Sequence, residues 1–198
     1  MNNLSKDDIT KQAILEAAGR VFQKWGVNKT TMEDIAREAG KGKSTLYYYY
    51  SSKEEIFDAV LLGEIDKVLK ATREAIERED NVKDKFRAYI NTVFEGLKKA
   101  ANFYSIVVGE IRHMNQPMLK LREVYDQSEM KLIKSILKFG ADNGEIAIYD
   151  ERELNTIAYI LLSSVRSLQM DLFIENKSGT QEIIDTMLQI LSKGLIRM

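Results

Sequence analysis

The stretch TTMEDIAREAGKGKSTLYYYYSSKEEIF, which runs from Thr30 to Phe57, decides the fold of this 198-residue chain. Within it, Ala36 is small enough to let a following helix approach closely. Four residues later, Gly40 supplies the positive backbone φ that a tight turn needs. Six residues further, Leu46 is the apolar residue that fills the angle between two short helices. This spacing is typical of a helix-turn-helix, whose second helix enters the major groove of DNA, although any helical hairpin can show it by chance.

Four consecutive tyrosines, Tyr47 to Tyr50, occupy the second of these helices. Successive helical residues are turned by about 100°, so the four side chains cannot all lie in one core. The exposed phenol hydroxyls then need polar partners, and the preceding Lys43, Ser44 and Thr45 are of the types that contact phosphates and base edges. These residues favour a DNA-reading helix over the alternative, an ordinary tyrosine-rich surface helix.

The first helix is predicted to begin with Ser5 and Asp8 as its cap, to carry an apolar stripe from Ile9 to Trp25, and to end at Gly26. An N-terminal cap of this kind, a stripe at helical spacing and a terminal glycine together define the limits of an amphipathic helix.

The remaining chain predicts an all-α protein of about nine helices, because no alternating apolar run is long enough for a strand. Thr30 and Glu33 predict a capping box for the second helix, and Ser52 and Glu55 cap a long fourth helix that runs toward Ala75. The other helices are predicted over about 43–49, 83–100, 103–113, 116–140, 150–174 and 180–197.

Composition and charge exclude several classes of function. The chain has no cysteine and a single histidine, His113, so cysteine nucleophiles, thiolate metal sites and histidine clusters are excluded, and we predict no cofactor and no metal. Polar N-terminal residues and the lack of an apolar run of roughly 20 residues predict a soluble, cytoplasmic protein with no membrane partner. Residues 1–53 carry nine basic and six acidic side chains, a net charge of +3, whereas residues 54–198 carry twenty and twenty-four, a net charge of −4. This asymmetry suits a DNA contact confined to the N-terminal end.

The quoted stretch, together with the preceding helix that contains Phe22 and ends at Gly26, closely resembles the DNA-binding domain of the TetR family of repressors over about residues 8–60. The shared features are a Thr-Thr start, an Ala-Gly turn, Thr-Leu-Tyr, an aromatic pair and Lys-Glu at the opening of the fourth helix. The resemblance implies a three-helix helix-turn-helix domain over residues 1–52. It implies that the long fourth helix joins this domain to a larger helical effector-binding and dimerisation domain over residues 53–198.

The resemblance also implies roles for single residues. Thr30 or Thr31, Tyr48 and Lys53 would bind phosphates, whereas the groove and its bases would be faced by Lys43, Thr45, Tyr47 and Tyr49, with Ser44 beside them. Lys41, Gly42, Ser44 and the pair Tyr49-Tyr50 depart from the usual residues of the family at their positions. These departures concern the base preference more than the mode of binding.

The C-terminal region carries candidate residues without a comparable motif. Aromatic and apolar side chains suit the wall of a pocket for a drug-sized molecule, and the effector candidates are Phe103, Tyr104, His113, Tyr125, Met170 and Phe173. The alternatives are that the aromatic residues belong to the core and that His113 caps a helix. By the resemblance, the last two helices form a four-helix interface between two subunits, with burial inside one subunit as the alternative; the interface candidates are Leu161, Val165, Leu168, Ile184, Leu188 and Leu191.

These observations predict a ligand-responsive transcriptional repressor, with a palindromic double-stranded operator, a second copy of the chain and a small-molecule effector as partners. An alternative is a DNA-bound adaptor whose C-terminal domain recruits a protein and senses no ligand. An enzyme is not expected, because no nucleophile–base pair, metal cluster or phosphate-binding loop is readable in the sequence.

Overall fold

A computed structural model describes residues 5–99, 116–147, 150–174 and 180–195. These residues form eight α-helices and no β-strand, which confirms the predicted all-α class. The helix predicted over 103–113 lies outside the described residues. The observed helices are α1 (Lys6–Trp25), α2 (Met32–Glu38), α3 (Lys43–Tyr49), α4 (Lys53–Glu77), α5 (Val82–Lys99), α6 (Gln116–Asp142), α7 (Glu151–Ile174) and α8 (Thr180–Leu195).

The chain divides into two compact units. Of the described residues, 5–65 and 116–121 belong to the head unit, and 66–99 together with those between 122 and 195 belong to the C-terminal unit. Helix α4 contributes to both units, with the change after Ile65. The division at residue 52 stays a prediction about domains, while packing takes the first turns of α4 into the head unit.

The core of the head unit is built from all four of its N-terminal helices. The rings of Phe22 on α1 and Phe57 on α4 meet edge to face, with centroids 5.5 Å apart. Edge-to-face contact is a favoured geometry for two buried aromatic rings. Around this pair lie the buried apolar residues Ile14, Ala18, Ile35, Ala36, Leu46, Ile56, Val60 and Leu61.

Capping residues set where the first helices begin. The hydroxyl of Ser5 accepts a hydrogen bond from the amide of Asp8 at 3.1 Å, so the predicted start of α1 is confirmed. The predicted box of Thr30 and Glu33 is wrong by one residue, because Thr31 and Asp34 cap α2. Thr30 is buried instead, and its hydroxyl donates to the carbonyl of Gly26 at 2.7 Å.

The apolar stripe of α1 is shorter than predicted. Its central residues are buried, but Ile9 and Trp25 at its two ends are exposed. Ile9 lies five residues before Ile14, which turns it roughly 140° away from the buried face. Trp25 is the last residue of the helix, and Gly26 follows with a φ of 78°.

The C-terminal unit is built around α5, which contacts both α7 and α8. Gly140 near the end of α6 allows a close approach there, because a Cβ at this position would collide with the side chain of Val82. No helix among the described residues is both long and apolar enough to cross a membrane. The buried residues of this unit include Tyr89, Ile90, Val93, Ile133, Ile136, Leu137, Ala158, Leu161, Val165, Ile184 and Leu188.

Candidate functional site

The geometry of the turn between α2 and α3 agrees with the predicted helix-turn-helix. Gly40 has a φ of 63°, and the amide of Lys41 returns to the carbonyl of Ala36 at 2.9 Å. Ala36 and Leu46 are both buried at the contact between the two helices. Gly42 then caps α3 through its carbonyl, which accepts from the amide of Leu46 at 3.3 Å. The small residue, the glycine and the apolar residue therefore each serve the purpose predicted from their spacing.

Helix α3 presents polar and aromatic side chains at the surface. Tyr48 is 77% exposed and Tyr47 is 48% exposed, whereas Tyr49 and Tyr50 are half-buried. Lys43 and Ser44 are exposed and Thr45 is half-buried. The predicted DNA-facing set on this helix thus lies at or near the surface, with Tyr48 extending furthest.

Tyr49 is held by the first turns of α1, which the sequence reasoning did not predict. Its hydroxyl donates to Asp7 Oδ1 at 2.7 Å, and Lys11 Nζ lies 5.9 Å from the centre of its ring. The hydrogen bond to Asp7 raises the pKa of Tyr49 above its usual value, so the phenol keeps its proton. The ring of Tyr48 rests edge-on against that of Tyr49, with centroids 4.9 Å apart. Asp7 therefore positions a predicted base-reading residue.

Lys43 forms an ion pair with Glu33 of α2 and lies over the ring of Tyr47, 5.7 Å from its centre. This pairing lowers the pKa of Glu33 and raises that of Lys43, so both groups stay charged at neutral pH. Both side chains are exposed, and exposed ion pairs contribute little to stability. A phosphate or a base edge can therefore replace Glu33 as the partner of Lys43 at small cost.

Lys53 stands in a different environment. Its ammonium donates to three backbone carbonyls between α1 and α2, at 2.9 Å to Val27, 3.2 Å to Asn28 and 3.0 Å to Thr30. An ammonium has three N–H donors, so all of them are used. The phosphate contact of Lys53 stays a prediction, and in the structure this residue ties the start of α4 to the segment before α2.

The two threonines that start the second helix have separate environments. Thr31 is exposed, and its hydroxyl donates to Asp34 Oδ2 at 2.7 Å while accepting from the Asp34 amide. Thr30 is buried. Of the two predicted phosphate ligands, Thr31 is therefore the one whose side chain is at the surface.

The effector and interface candidates are distributed as follows. Phe103, Tyr104 and His113 lie outside the described residues. Met170 and Phe173 belong to α7 and Leu191 to α8, in parts where only the backbone is described, and Tyr125 is half-buried on α6. Leu168 is half-buried, while the single chain buries the other four interface candidates, Leu161, Val165, Ile184 and Leu188. An interface on α7 and α8 would therefore use neighbours of these four that remain exposed.

A buried polar cluster in the C-terminal unit escaped the sequence reasoning. Glu129 of α6 is fully buried and accepts a hydrogen bond from the hydroxyl of Tyr89 at 3.0 Å. Arg166 of α7 pairs with Asp126, which lies one turn before Glu129. The signal was present in the sequence, because Glu129 stands four residues before the buried Ile133 and so shares the inward face of α6. Among the described residues, no group of His, Cys, Asp and Glu could hold a metal ion.

Comparison with known proteins gives matches for both sequence and fold. Residues 14–60 match the profile of the family described as bacterial regulatory proteins, tetR family. The HTH-type transcriptional regulator YfiR of Bacillus subtilis is 27% identical over 163 residues, which are 79% of this chain and 76% of that protein. The HTH-type transcriptional repressor KstR2 of Mycobacterium tuberculosis is 26% identical over 132 residues, 66% of each chain.

A solved structure extends the comparison to the C-terminal helices. The transcriptional regulator FadR from Bacillus subtilis, in complex with stearoyl-CoA, superposes with a TM-score of 0.74 over 92% of this chain and 98% of that chain. The two sequences are 19% identical, so the likeness is one of fold.

Proposed function

We propose that this chain is a member of the tetR family of bacterial regulatory proteins, whose profile its residues 14–60 match, that it represses transcription by binding a palindromic operator as a homodimer, and that a small-molecule effector in the C-terminal unit releases it. Regulators of this family bind DNA, typically as dimers, and are not enzymes. Since the chromosome is the target, we propose a cytoplasmic location.

The observation that carries the proposal is the surface of α3. A two-helix turn closed by Gly40 presents Tyr47 and Tyr48 to solvent, with Lys43 beside them. Tyrosine hydroxyls and lysine ammonium groups donate to phosphates, and the short helix has the width that a major groove admits. We assign phosphate contacts to Thr31 and Tyr48 and groove contacts to Lys43, Ser44, Thr45, Tyr47 and Tyr49.

The homodimer interface is proposed on the exposed face of α7 and α8. Tyr159 and Ile160 on α7 are 64% and 55% exposed, and Ile190 on α8 is 66% exposed. Large apolar side chains left in water on two helices favour burial against a second copy. Ile160→Glu should give folded monomers, because its side chain faces solvent in the single chain. Leu161→Glu should unfold the unit.

Sedimentation equilibrium and circular dichroism separate these two outcomes. A dimer that persists in Ile160→Glu would move the interface to another surface.

The effector is proposed to be an organic molecule that binds among the helices of the C-terminal unit. Stearoyl-CoA, which FadR holds, is a first compound to test. The adaptor alternative receives no support from the relatives. Linkage requires that the effector weaken operator binding by the same factor by which the operator weakens effector binding. A coupling of about 1–3 kcal/mol would change affinity roughly 5–150-fold.

The deciding experiment is retention of DNA fragments from the native genome on the pure protein. We expect enrichment of fragments with palindromic half-sites about one helical turn apart, as a two-fold dimer requires. Lys43→Ala combined with Tyr48→Ala serves as the control, and enrichment of the same fragments by this variant would exclude α3 as the reading helix.

A further inference from the structure

The cluster around Glu129 contains buried polar atoms that have no hydrogen-bond partner among the described residues. Oε1 of Glu129 accepts the hydroxyl proton of Tyr89, but Oε2 is buried with no hydrogen-bond partner among the described residues. A buried carboxylate oxygen without a partner loses the free energy of its hydration and gains nothing in return. Such an oxygen is a point at which a ligand with a hydrogen-bond donor can bind.

The charges of the cluster indicate which charge such a ligand would carry. Two carboxylates, Asp126 and Glu129, face a single guanidinium, that of Arg166, and Arg166 is already paired with Asp126. With Glu129 ionised, the described residues of the cluster therefore carry one net negative charge in a medium of low polarity. A neutral hydrogen-bond donor would bond to Oε2 of Glu129 but would leave the negative charge unpaired. A cationic donor would both bond to Oε2 and neutralise the charge.

The pairing of α6 with α7 places a further buried polar side chain of α7 near the cluster. Lys138 pairs with Glu151, and Asp126 pairs with Arg166, so later residues of α6 face earlier residues of α7 and the two helices run antiparallel. Gln169 lies one turn beyond Arg166, and its buried amide nitrogen also has no hydrogen-bond partner among the described residues. Gln169 lies three residues from Arg166 on α7, and Glu129 lies three residues from Asp126 on α6. Because the helices are antiparallel, these two steps add up to a separation of roughly 9 Å along the helix axes.

Tyr125 connects this cluster with the effector candidates. It lies one turn before Glu129 on the same face of α6, and its hydroxyl interacts with the Glu129 carboxyl. It is the one predicted effector residue whose side chain the structure describes.

We propose that Oε2 of Glu129 anchors a positively charged, hydrogen-bond-donating group, an organic ammonium or amidinium, of a small molecule bound in the C-terminal unit. The inference rests on the proposed sensor function, because it specifies the chemistry of the effector. The apolar helices around the cluster take the hydrocarbon part of this molecule, and the free amide of Gln169 donates to an acceptor further along it.

The test uses three probes that share an eight-carbon chain: octylammonium, octanol and octanoate. Calorimetric titration of the full chain should show octylammonium binding most tightly and octanoate least. Glu129→Gln should weaken octylammonium at least tenfold and leave octanol unchanged, because the amide keeps the size of the carboxylate without its charge. Glu123→Gln removes an exposed carboxylate from the same helix and should change nothing.

A second measurement uses the pH dependence of octylammonium binding to follow the protonation of Glu129. Burial raises the pKa of Glu129 to about 7, so an ammonium that requires the ionised carboxylate should bind about fivefold more weakly at pH 6 than at pH 7. Among the described residues, the titratable groups that face Glu129 are Tyr89, Tyr125, Asp126 and Arg166. The pH dependence should vanish in Glu129→Gln.

The outcomes separate this inference from the proposed function. If octylammonium binds through Glu129 without lowering operator affinity, the result would support the cationic site and overturn the proposed sensor function. Stearoyl-CoA that releases the operator equally from the unmodified chain and from Glu129→Gln would support the sensor and overturn the cationic site. Absent or Glu129-independent octylammonium binding would also overturn the cationic site.

Discussion

In the head unit, charged and hydroxyl side chains stand at the surface and hold one another in place, whereas the C-terminal unit buries a comparable set. Lys43 meets Glu33 in solvent, but Glu129 meets Tyr89 in the core. A surface partner is exchanged for a phosphate at small cost, since water screens both states. A buried carboxylate has no water to exchange with, so a proton or a ligand must satisfy it. The difference suits the two proposed roles, a head that binds and releases a polyanion and a C-terminal unit that holds one small molecule.

The largest effect that follows from this comparison is the salt dependence of operator binding. A dimer that neutralises roughly 6–10 phosphates should lose about 10³–10⁵ in affinity between roughly 50 and 200 mM salt. Octylammonium binding to the buried cluster should change little over the same range, because buried charges are poorly screened. Titrations of the operator and of octylammonium at each salt concentration check this prediction. An operator affinity that does not change with salt concentration would contradict a surface of exchangeable ion pairs.

The next effect is the pH dependence of stability that comes from Glu129. Burial raises its pKa from 4.5 to about 7, so the folded state keeps a proton that the unfolded state has lost. The contribution of Glu129 to the free energy of unfolding is therefore fully present below pH 4.5 and is lost as the pH rises through 7. Since each pKa unit corresponds to about 1.4 kcal/mol, the loss above pH 7 approaches ~3 kcal/mol.

Glu129→Gln should remove this decline, so that urea unfolding at pH 8 gives a more stable variant. Glu123→Gln is the exposed control. Equal slopes of stability against pH in the unmodified chain and in Glu129→Gln would contradict the burial of an unpaired carboxyl.

Lys53, like the buried Thr30, is an exception within the head unit, and its replacement should have a smaller effect on stability. Lys53→Met removes three hydrogen bonds to carbonyls while keeping the length of the side chain. We expect a loss of about 2 kcal/mol, because hydrogen bonds to a charged group contribute about 1.5–3 kcal/mol and water replaces part of them. Lys41→Met, at an exposed lysine of the turn, is the control. Unchanged stability in Lys53→Met, with weaker binding to every DNA sequence, would assign Lys53 to phosphates alone.

The smallest predicted effect concerns the hydrogen bond between Tyr49 and Asp7. Tyr49→Phe and Asp7→Asn should each weaken operator binding by less than about tenfold, since one exposed hydrogen bond contributes about 1 kcal/mol. The double variant should lose little more than either single one, because both changes remove the same contact. Operator titration of the three variants measures this coupling. Additive losses would mean that Asp7 does not position Tyr49.

Prediction from the sequence was most accurate where the determinants of structure are local. The turn at Gly40, the burial of Ala36 and Leu46, and the limits of α3 follow from steric rules that act within ten residues, so one sequence suffices to predict them. It was wrong about the capping role of Thr30 and did not predict the backbone partners of Lys53, because both side chains fold back onto backbone atoms. The capping hydroxyl could have been either of two neighbouring threonines, and the carbonyls that receive Lys53 lie more than twenty residues earlier in the chain.

The sequence by itself determined the all-α class, the helix-turn-helix and the resemblance to the TetR family, because periodicity and turn residues are properties of neighbouring positions. Only the tertiary structure decided which side chains of α7 are buried in the chain and which are exposed, since both sets repeat at helical spacing. It alone brought Tyr89, Glu129 and Arg166 from three helices into one cluster. Separations of about forty residues along the chain carry no local signal, and the pairing of a buried polar group is decided by packing between helices.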